Sequence, residues 1–189
     1  MNELTRLALG LQEFWRAKGW EACVIGGLAV QAWGEPRFTM DVDVSLLTGL
    51  GREEEFVDAW LEKFPSRIPG ARKFALENRV LLLRGPEGIG VDVALGCLPF
   101  EEQAIRGAVE VELEPGAKVR ICRPEDLVVM KAFADRPQDW LDLRGILIRQ
   151  KSRPLDWTHI RRQLKPLAQA KEKPELVQKL EELRKELGE

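Results

Sequence analysis

Residues 24–46 read V-I-G-G-L-A-V-Q-A-W-G-E-P-R-F-T-M-D-V-D-V-S-L, and this stretch decides the architecture. A short run of small and branched apolar residues from Glu21 to Ile25 closes on Gly26-Gly27, and Leu28 to Trp33 follows as one or two helical turns. The order is strand, glycine turn, helix. Gly34 to Met40 carries Pro36 and reads as a loop, after which Asp41 to Leu47 alternates with the period of a strand whose two faces differ in chemistry. Asp41 and Asp43 then point to the same side.

Outward from this block, Leu4, Leu7, Ala8, Leu11, Phe14 and Trp15 keep the spacing of one helical face, with Lys18-Gly19 as its basic last turn and stop. Arg52 to Phe64 is charged on one side and carries Phe56, Val57, Trp60, Leu61 and Phe64 on the other, which predicts a second amphipathic helix ending before Pro65. Arg79 to Leu83 and Gly90 to Leu95 read as strands. Glu110 to Leu113 and Lys118 to Ile121 alternate about Pro115-Gly116, the pattern of a hairpin at a sheet edge. From there the composition turns helical. Pro124 with Glu125 and Asp126 opens a helix through Phe133, Pro137 opens another through Gln150, and Lys171 to Leu187 places Leu176, Leu180, Leu183 and Leu187 on one stripe that seeks something to cover.

The chain has 189 residues, 44% of them hydrophobic and 32% charged, enough for one ordinary core, and its formal net charge of -2 excludes a global basic field that gathers nucleic acid. Cys23, Cys97 and Cys122 are an odd, widely spaced set without a C-x-x-C pair and read as buried, reduced thiols. The N-terminus has neither a secretory nor a membrane-anchoring pattern, so a cytoplasmic protein without membrane contact is expected. His159 is the only histidine and lies in the polar stretch Asp156 to Arg162, which removes Ser/His/Asp catalysis and histidine-rich metal sites from consideration. Carboxylates must carry any chemistry.

Glycines at a strand-to-helix turn let a polyphosphate approach the backbone, and the helix that follows presents unpaired N–H groups and its positive dipole end. Carboxylates at i and i+2 of a strand lie side by side, and a third from a neighbouring strand completes a ligand set for two hard cations roughly 3.5–4 Å apart. Asp92, inside the apolar strand segment Val91-Asp92-Val93, is the candidate for the third. Three converging carboxylates would repel one another without a cation, so the presence of Asp41, Asp43 and Asp92 on one face implies either a metal, Mg2+ or Mn2+ as two ions, or a large separation in space. An Asp-x-Asp alone is often only solvated; the glycine pair upstream and the place of Asp92 inside an otherwise apolar strand favour the metal reading.

The ordered combination of V-I-G-G, R-F-T-M-D-V-D and G-V-D-V-A resembles the nucleotidyltransferase superfamily of the DNA polymerase beta type, over about Cys23 to Asp142. Within it the chain is most similar to the small bacterial AbiEii-type group, in which R-x-T-x-D-x-D precedes a helical segment like P-E-D-L-V-V-M-K. The resemblance implies an α+β nucleotidyltransferase fold, a small mixed β-sheet flanked by helices, with a core at 1–122 and a helical C-terminal region at 123–189 packed on it. Asp41, Asp43 and Asp92 carry over as catalytic metal ligands. Asp92 also matches the residue that in some members accepts the proton of the acceptor hydroxyl. Gly26, Gly27, Arg37, Thr39 and Lys131 carry over as nucleotide-binding residues. Many members have serine where this chain has Gly27, so backbone N–H groups must replace a hydroxyl contact. Arg37 reads as a phosphate ligand or as a solvated loop arginine. Lys131 reaches the triphosphate or snorkels from a packed helix. Asp139 and Asp142 match a K…D…D pattern, and by default form the acidic first turn of a helix.

The function so implied moves a nucleoside monophosphate from an NTP such as ATP to an acceptor hydroxyl and releases pyrophosphate. The acceptor is unassigned: a small molecule, a protein or an RNA end, for which Arg67, Arg72, Lys73, Arg161 and Arg162 offer docking charges. The alternative is a catalytically silent nucleotide- or partner-binding module of the same fold, as in one half of a toxin-antitoxin-like system; retention of all three aspartates argues against it. Glycosyl transfer also uses Asp-x-Asp with a metal, but the preceding glycine pair and the short chain favour nucleotidyl transfer. The C-terminal leucine stripe is a surface through which an oligomer could form.

Overall fold

A computed structural model describes residues 1–188 and divides the chain into two compact units. The first comprises Met1–Leu28 and Phe38–Cys122; the second comprises Ala29–Arg37 and the chain from Arg123 onward.

The first unit is built on one six-stranded sheet. Its strands are β1 (Ala22–Ile25), β2 (Asp41–Leu47), β3 (Val80–Arg84), β4 (Gly90–Gly96), β5 (Val109–Glu114) and β6 (Ala117–Ile121), in the spatial order β3-β4-β2-β1-β6-β5. The sheet is mixed: β2 runs parallel to β4 and β1 parallel to β6, and the other neighbours are antiparallel. Alternation fixes its register. Val42, Val44 and Leu46 of β2, Val91, Val93 and Leu95 of β4, and Leu81 and Leu83 of β3 are buried, so a slip by one residue would turn every one of them to the opposite face.

Helices α1 (Glu3–Ala17), α3 (Glu53–Lys63), α4 (Ala71–Asn78) and α5 (Pro99–Gly107) complete this unit, and α2 (Gly26–Trp33) begins in it. Asn2 caps α1 by accepting the N–H of Thr5 at 2.8 Å. The apolar faces of α1 and α3 meet through an aromatic cluster, with Phe14 at 4.7 Å from Trp60 and Trp20 at 4.8 Å from Phe56 between ring centroids. The hairpin expected about Pro115-Gly116 is present as β5 and β6, and β5 is an edge strand. Helices α4 and α5 were not expected from the pattern. For α5 the signal was present: Pro99 occupies the first turn, and the carboxylate of Glu101 receives the N–H groups of Cys97 and Leu98, each at 2.8 Å.

The second unit is helical. It contains α6 (Pro124–Ala134), α7 (Pro137–Gln150), α8 (Trp157–Ala170) and α9 (Glu175–Glu186), with residues 29–37 fastened to α7. Gln150 Nε2 donates to the carbonyl of Trp33 at 2.7 Å and Arg149 Nη1 to that of Gly34 at 2.9 Å. The backbones approach closely there. A Cβ on Gly34 would stand 2.8 Å from Ile146 Cγ1, and one on Gly145 would stand 3.1 Å from the backbone nitrogen of Glu35.

Several expectations need correcting. The polar stretch around His159 is the start of α8, whose Trp157, Ile160, Leu164 and Ala168 are buried while Pro166 sits on the exposed side. Asp156 caps it by accepting the N–H of His159 at 2.9 Å, and His159 Nε2 lies 2.7 Å from the buried carboxylate of Asp126. The stripe on α9 is used in part within its own unit, because Leu176 and Leu180 are buried. Cys23 and Cys122 are buried as expected, whereas Cys97 is only half-buried. Among the described residues no helix is long and apolar enough to cross a membrane.

Candidate active site

Asp41 and Asp43 occupy alternate positions of β2 on the face opposite Val42 and Val44, and the parallel ladder sets Asp43 directly against Asp92 and Asp41 against Gly90. Neighbouring strands lie about 4.8 Å apart. One carboxylate oxygen from each of Asp41, Asp43 and Asp92 accordingly falls within 4.8 Å of the other two, and all three side chains are partly open to solvent. The structure brings these sequence-predicted residues together.

Gly26 and Gly27 close over this cluster. Gly26 has φ +61°, in the left-handed region, and a Cβ there would overlap Asp43 Oδ2; a Cβ on Gly27 would stand 2.5 Å from Thr39 Oγ1. The N–H of Gly27 donates to Asp43 Oδ2 at 3.3 Å, so the carboxylate itself lies at the N-terminal turn of α2, where the helix dipole favours negative charge. The room left by the two missing side chains is thus taken by Asp43 and Thr39. Thr39 is buried, and its hydroxyl donates to Asp41 Oδ1 at 2.8 Å.

The third carboxylate has a cationic partner that the sequence did not reveal. Arg67 donates through Nη2 to Asp92 Oδ1, and its Nη1 fills the space where a Cβ of Gly90 would lie. Burial raises the Asp92 carboxyl above its ordinary value, Arg67 opposes that shift and the nearby charge of Asp41 adds to it. Arg67 thus places a guanidinium on one of the three carboxylates. Oxygen-only donors with excess negative charge are the chemistry that hard divalent cations require, and the three residues fit such a metal.

Arg37 and Lys131 belong to the second unit, where they enter a different arrangement. Lys131 Nζ lies 2.9 Å from Asp139 Oδ1 and 2.8 Å from Asp142 Oδ2, and the Arg37 guanidinium grips Asp142 through Nε at 2.7 Å and Nη2 at 3.1 Å. Arg136 Nε donates to Asp139 Oδ2 at 2.7 Å, and Gln138 donates to Asp142 at 3.0 Å. Lys131 therefore neither snorkels nor stands alone. Burial pushes the Asp139 and Asp142 carboxyls up, but Arg136 and Lys131 on one and Arg37, Lys131 and Gln138 on the other hold both below the usual range. Asp139 does sit in the first turn of α7, yet both carboxylates are buried and ion-paired. The arginines considered for RNA docking are largely engaged: Arg67 on Asp92, Arg72 on Glu54 and Asp58, and Arg161 on Glu181.

No family model matches the sequence, and no curated protein matches it either. Solved structures do resemble it. An antigenic nucleotidyltransferase-like protein from Paracoccidioides brasiliensis is 19% identical with a TM-score of 0.53, the alignment covering 94% of this chain and 91% of that one. The antibiotic-resistance factor ANT(2'')-Ia is 16% identical with a TM-score of 0.49, over 95% and 88% of the two chains. The lincosamide antibiotic adenylyltransferase LnuA, in its lincomycin-bound form, is 14% identical with a TM-score of 0.48, over 77% and 98%. At such identities the likeness is one of fold, and the α+β nucleotidyltransferase-like fold is that of this chain.

Two outcomes follow from the geometry. Gly26→Ala combines a left-handed backbone with an overlap on Asp43, and should cost at least about 2 kcal/mol in urea unfolding while moving the Asp43 carboxylate; a neutral substitution would contradict the close approach. Lys131→Met strips the shared cation from two buried carboxylates and should cost about 3 kcal/mol. Because Asp139 and Asp142 are depressed in the fold, their stabilisation is present above the unfolded carboxylate value near ~3.9 and is lost as pH falls through the folded values. The onset of acid unfolding, followed by circular dichroism, should therefore move to higher pH in Lys131→Met than in the wild type.

Proposed function

We propose that this protein is a metal-dependent nucleotidyltransferase, which transfers a nucleoside monophosphate from an NTP to an acceptor hydroxyl. The reading is carried by one observation: Asp41, Asp43 and Asp92 offer oxygens within 4.8 Å of one another beneath the Gly26-Gly27 turn. The fold shared with a nucleotidyltransferase-like protein supports it. So do the residue patterns that resemble the superfamily.

Divalent ions held by the three aspartates would supply positive charge to the triphosphate and polarise its phosphorus toward attack. The chain's own residues do the rest. Asp41 and Asp43 are held side by side by β2, Thr39 fixes the Asp41 carboxylate, and the Gly27 N–H fixes that of Asp43. Thr39 also lies at the glycine turn, its Oγ1 2.5 Å from where a Cβ of Gly27 would stand. In the transfer the acceptor oxygen forms a bond to the α-phosphorus, the bond to pyrophosphate breaks, and the electron pair leaves with pyrophosphate. Asp92 takes the acceptor's proton. Its raised affinity for protons suits that role better than an ordinary exposed carboxylate would.

Gly26 and Gly27 form the nucleotide-binding turn, and Arg37 and Lys131 are assigned to nucleotide binding by the AbiEii-like resemblance alone. The chemistry is assigned to residues 1–122, with residues 123–189 as the accompanying helical region.

Isothermal titration of the full chain with ATP, GTP, CTP and UTP in the presence of Mg2+ should detect binding. The double substitution Asp41→Asn with Asp43→Asn should abolish it while leaving the melting temperature within a few degrees of wild type. Unchanged affinity in that variant rejects the metal-triphosphate reading. Incubation with α-labelled NTPs and a cell extract should label an acceptor and release pyrophosphate; binding without any transfer would instead favour a silent module of the same fold.

A further inference from the structure

We propose that Arg67 is the resident counter-cation of the acidic cluster: it neutralises Asp92 until a divalent cation displaces it, and the released guanidinium then pairs with the phosphates of the nucleotide. This rests on the metal reading above and gives Arg67, read from the sequence only as a docking charge for an acceptor, a role at the metal site itself.

The position of Arg67 is built rather than incidental. Its backbone is fastened beyond the edge of the sheet: the Arg67 N–H donates to Leu82 O at 3.0 Å, the Arg84 N–H to Pro65 O at 2.8 Å, and Ser66 bridges Leu83. Leu82 lies opposite Asp92, and Asp92 opposite Asp43, so a side chain entering along that row ends at the acidic cluster. The guanidinium bonds Asp92 and fills the space above Gly90, which pairs with Asp41 in the ladder. Gly90 lies in a strand and is not among the glycines with positive φ, so backbone freedom does not explain its lack of a side chain. Room for the Arg67 guanidinium does.

Charge gives this contact a direction. Asp92 faces Asp41 and Asp43 as well as Arg67, and Arg67 and Asp92 are each more than a quarter exposed, so solvent ions reach them. A divalent cation brings two charges to the same oxygens and repels the guanidinium beside it. Arginine, anchored at its backbone but with a long side chain, can give up the carboxylate without disturbing the sheet. Phosphate oxygens are the other planar-fork partners that a guanidinium binds well.

The test uses the full-length chain and Mn2+ followed by the electron paramagnetic resonance of the free ion. Without nucleotide, Arg67→Met should bind Mn2+ at least about threefold more tightly than wild type, because a competing positive charge is gone. Gly90→Ala, which keeps Arg67 but places a methyl group where the guanidinium rests, should tighten Mn2+ binding in the same direction. The metal-free Arg67→Met protein should melt at a lower temperature, and at saturating Mn2+ it should bind α,β-methylene-ATP more weakly than wild type. Mn2+ affinity that is unchanged or weaker in both variants overturns the counter-cation role, and an unchanged affinity for the analogue overturns the hand-over to phosphate. Asp41→Asn with Asp43→Asn separates this from the reading it rests on. If that variant binds Mn2+ as wild type does, the metal site itself is wrong; if it loses Mn2+ while Arg67→Met behaves as wild type, only the role of Arg67 fails.

Discussion

Everything at the candidate site depends on the parallel pairing of β2 with β4, which sets Asp43 against Asp92 and so forces like charges together. Like charges directly opposite on a sheet are unfavourable. The pairing persists because the other face of the same two strands is buried: Val42, Val44, Val91 and Val93 are fully enclosed, and any register that separated the carboxylates by one position would bring them into that core. Apolar burial thus maintains an arrangement that electrostatics alone would undo.

Local donors reduce the repulsion one carboxylate at a time. Thr39 holds Asp41, the first turn of α2 holds Asp43, and Arg67 holds Asp92. Each donor comes from a different part of the chain, and each needs a small residue beside it. Gly26 leaves room for the Asp43 carboxylate, Gly27 for the Thr39 side chain, and Gly90 for the guanidinium. In this cluster the glycines serve packing around charges as much as backbone conformation, although Gly26 requires both.

How much of this could be read from the sequence follows from the range over which each signal acts. The β2 strand was legible to its ends because D-V-D-V-S-L-L records both faces of a strand in seven letters. The grouping of Asp41, Asp43 and Asp92 was legible because an aspartate inside V-D-V is costly unless something pairs with it. Arg67 was not, since P-S-R-I-P has no periodicity and its role depends on a bridge to β3 that local pattern does not encode. Helix α8 was read only as a polar stretch about His159, yet Trp157, Ile160, Leu164 and Ala168 keep helical spacing through Pro166. The buried group of Lys131, Asp139 and Asp142 was visible only as letters that fit a helix start and an interrupted apolar run. The contacts that define it come from two helices and the segment that ends at Arg37.

The two ionic clusters differ in a way that separates a structural network from a site that calls for a ligand. In the second unit Lys131, Arg37 and Arg136 face Asp139 and Asp142, so every buried carboxylate has at least two cationic partners and no negative charge is left over. Such a group is complete in itself. Removing a member exposes an uncompensated buried charge, and a further cation has no carboxylate left to meet. In the first unit three carboxylates remain partly open to solvent and face each other at a distance set by the sheet, with Arg67 on Asp92. Hydrogen bonds from Thr39 and Gly27 orient these oxygens. Of the species that reach half-exposed carboxylates, a divalent cation relieves their mutual repulsion with the fewest atoms and with oxygen coordination that the three carboxylates already present.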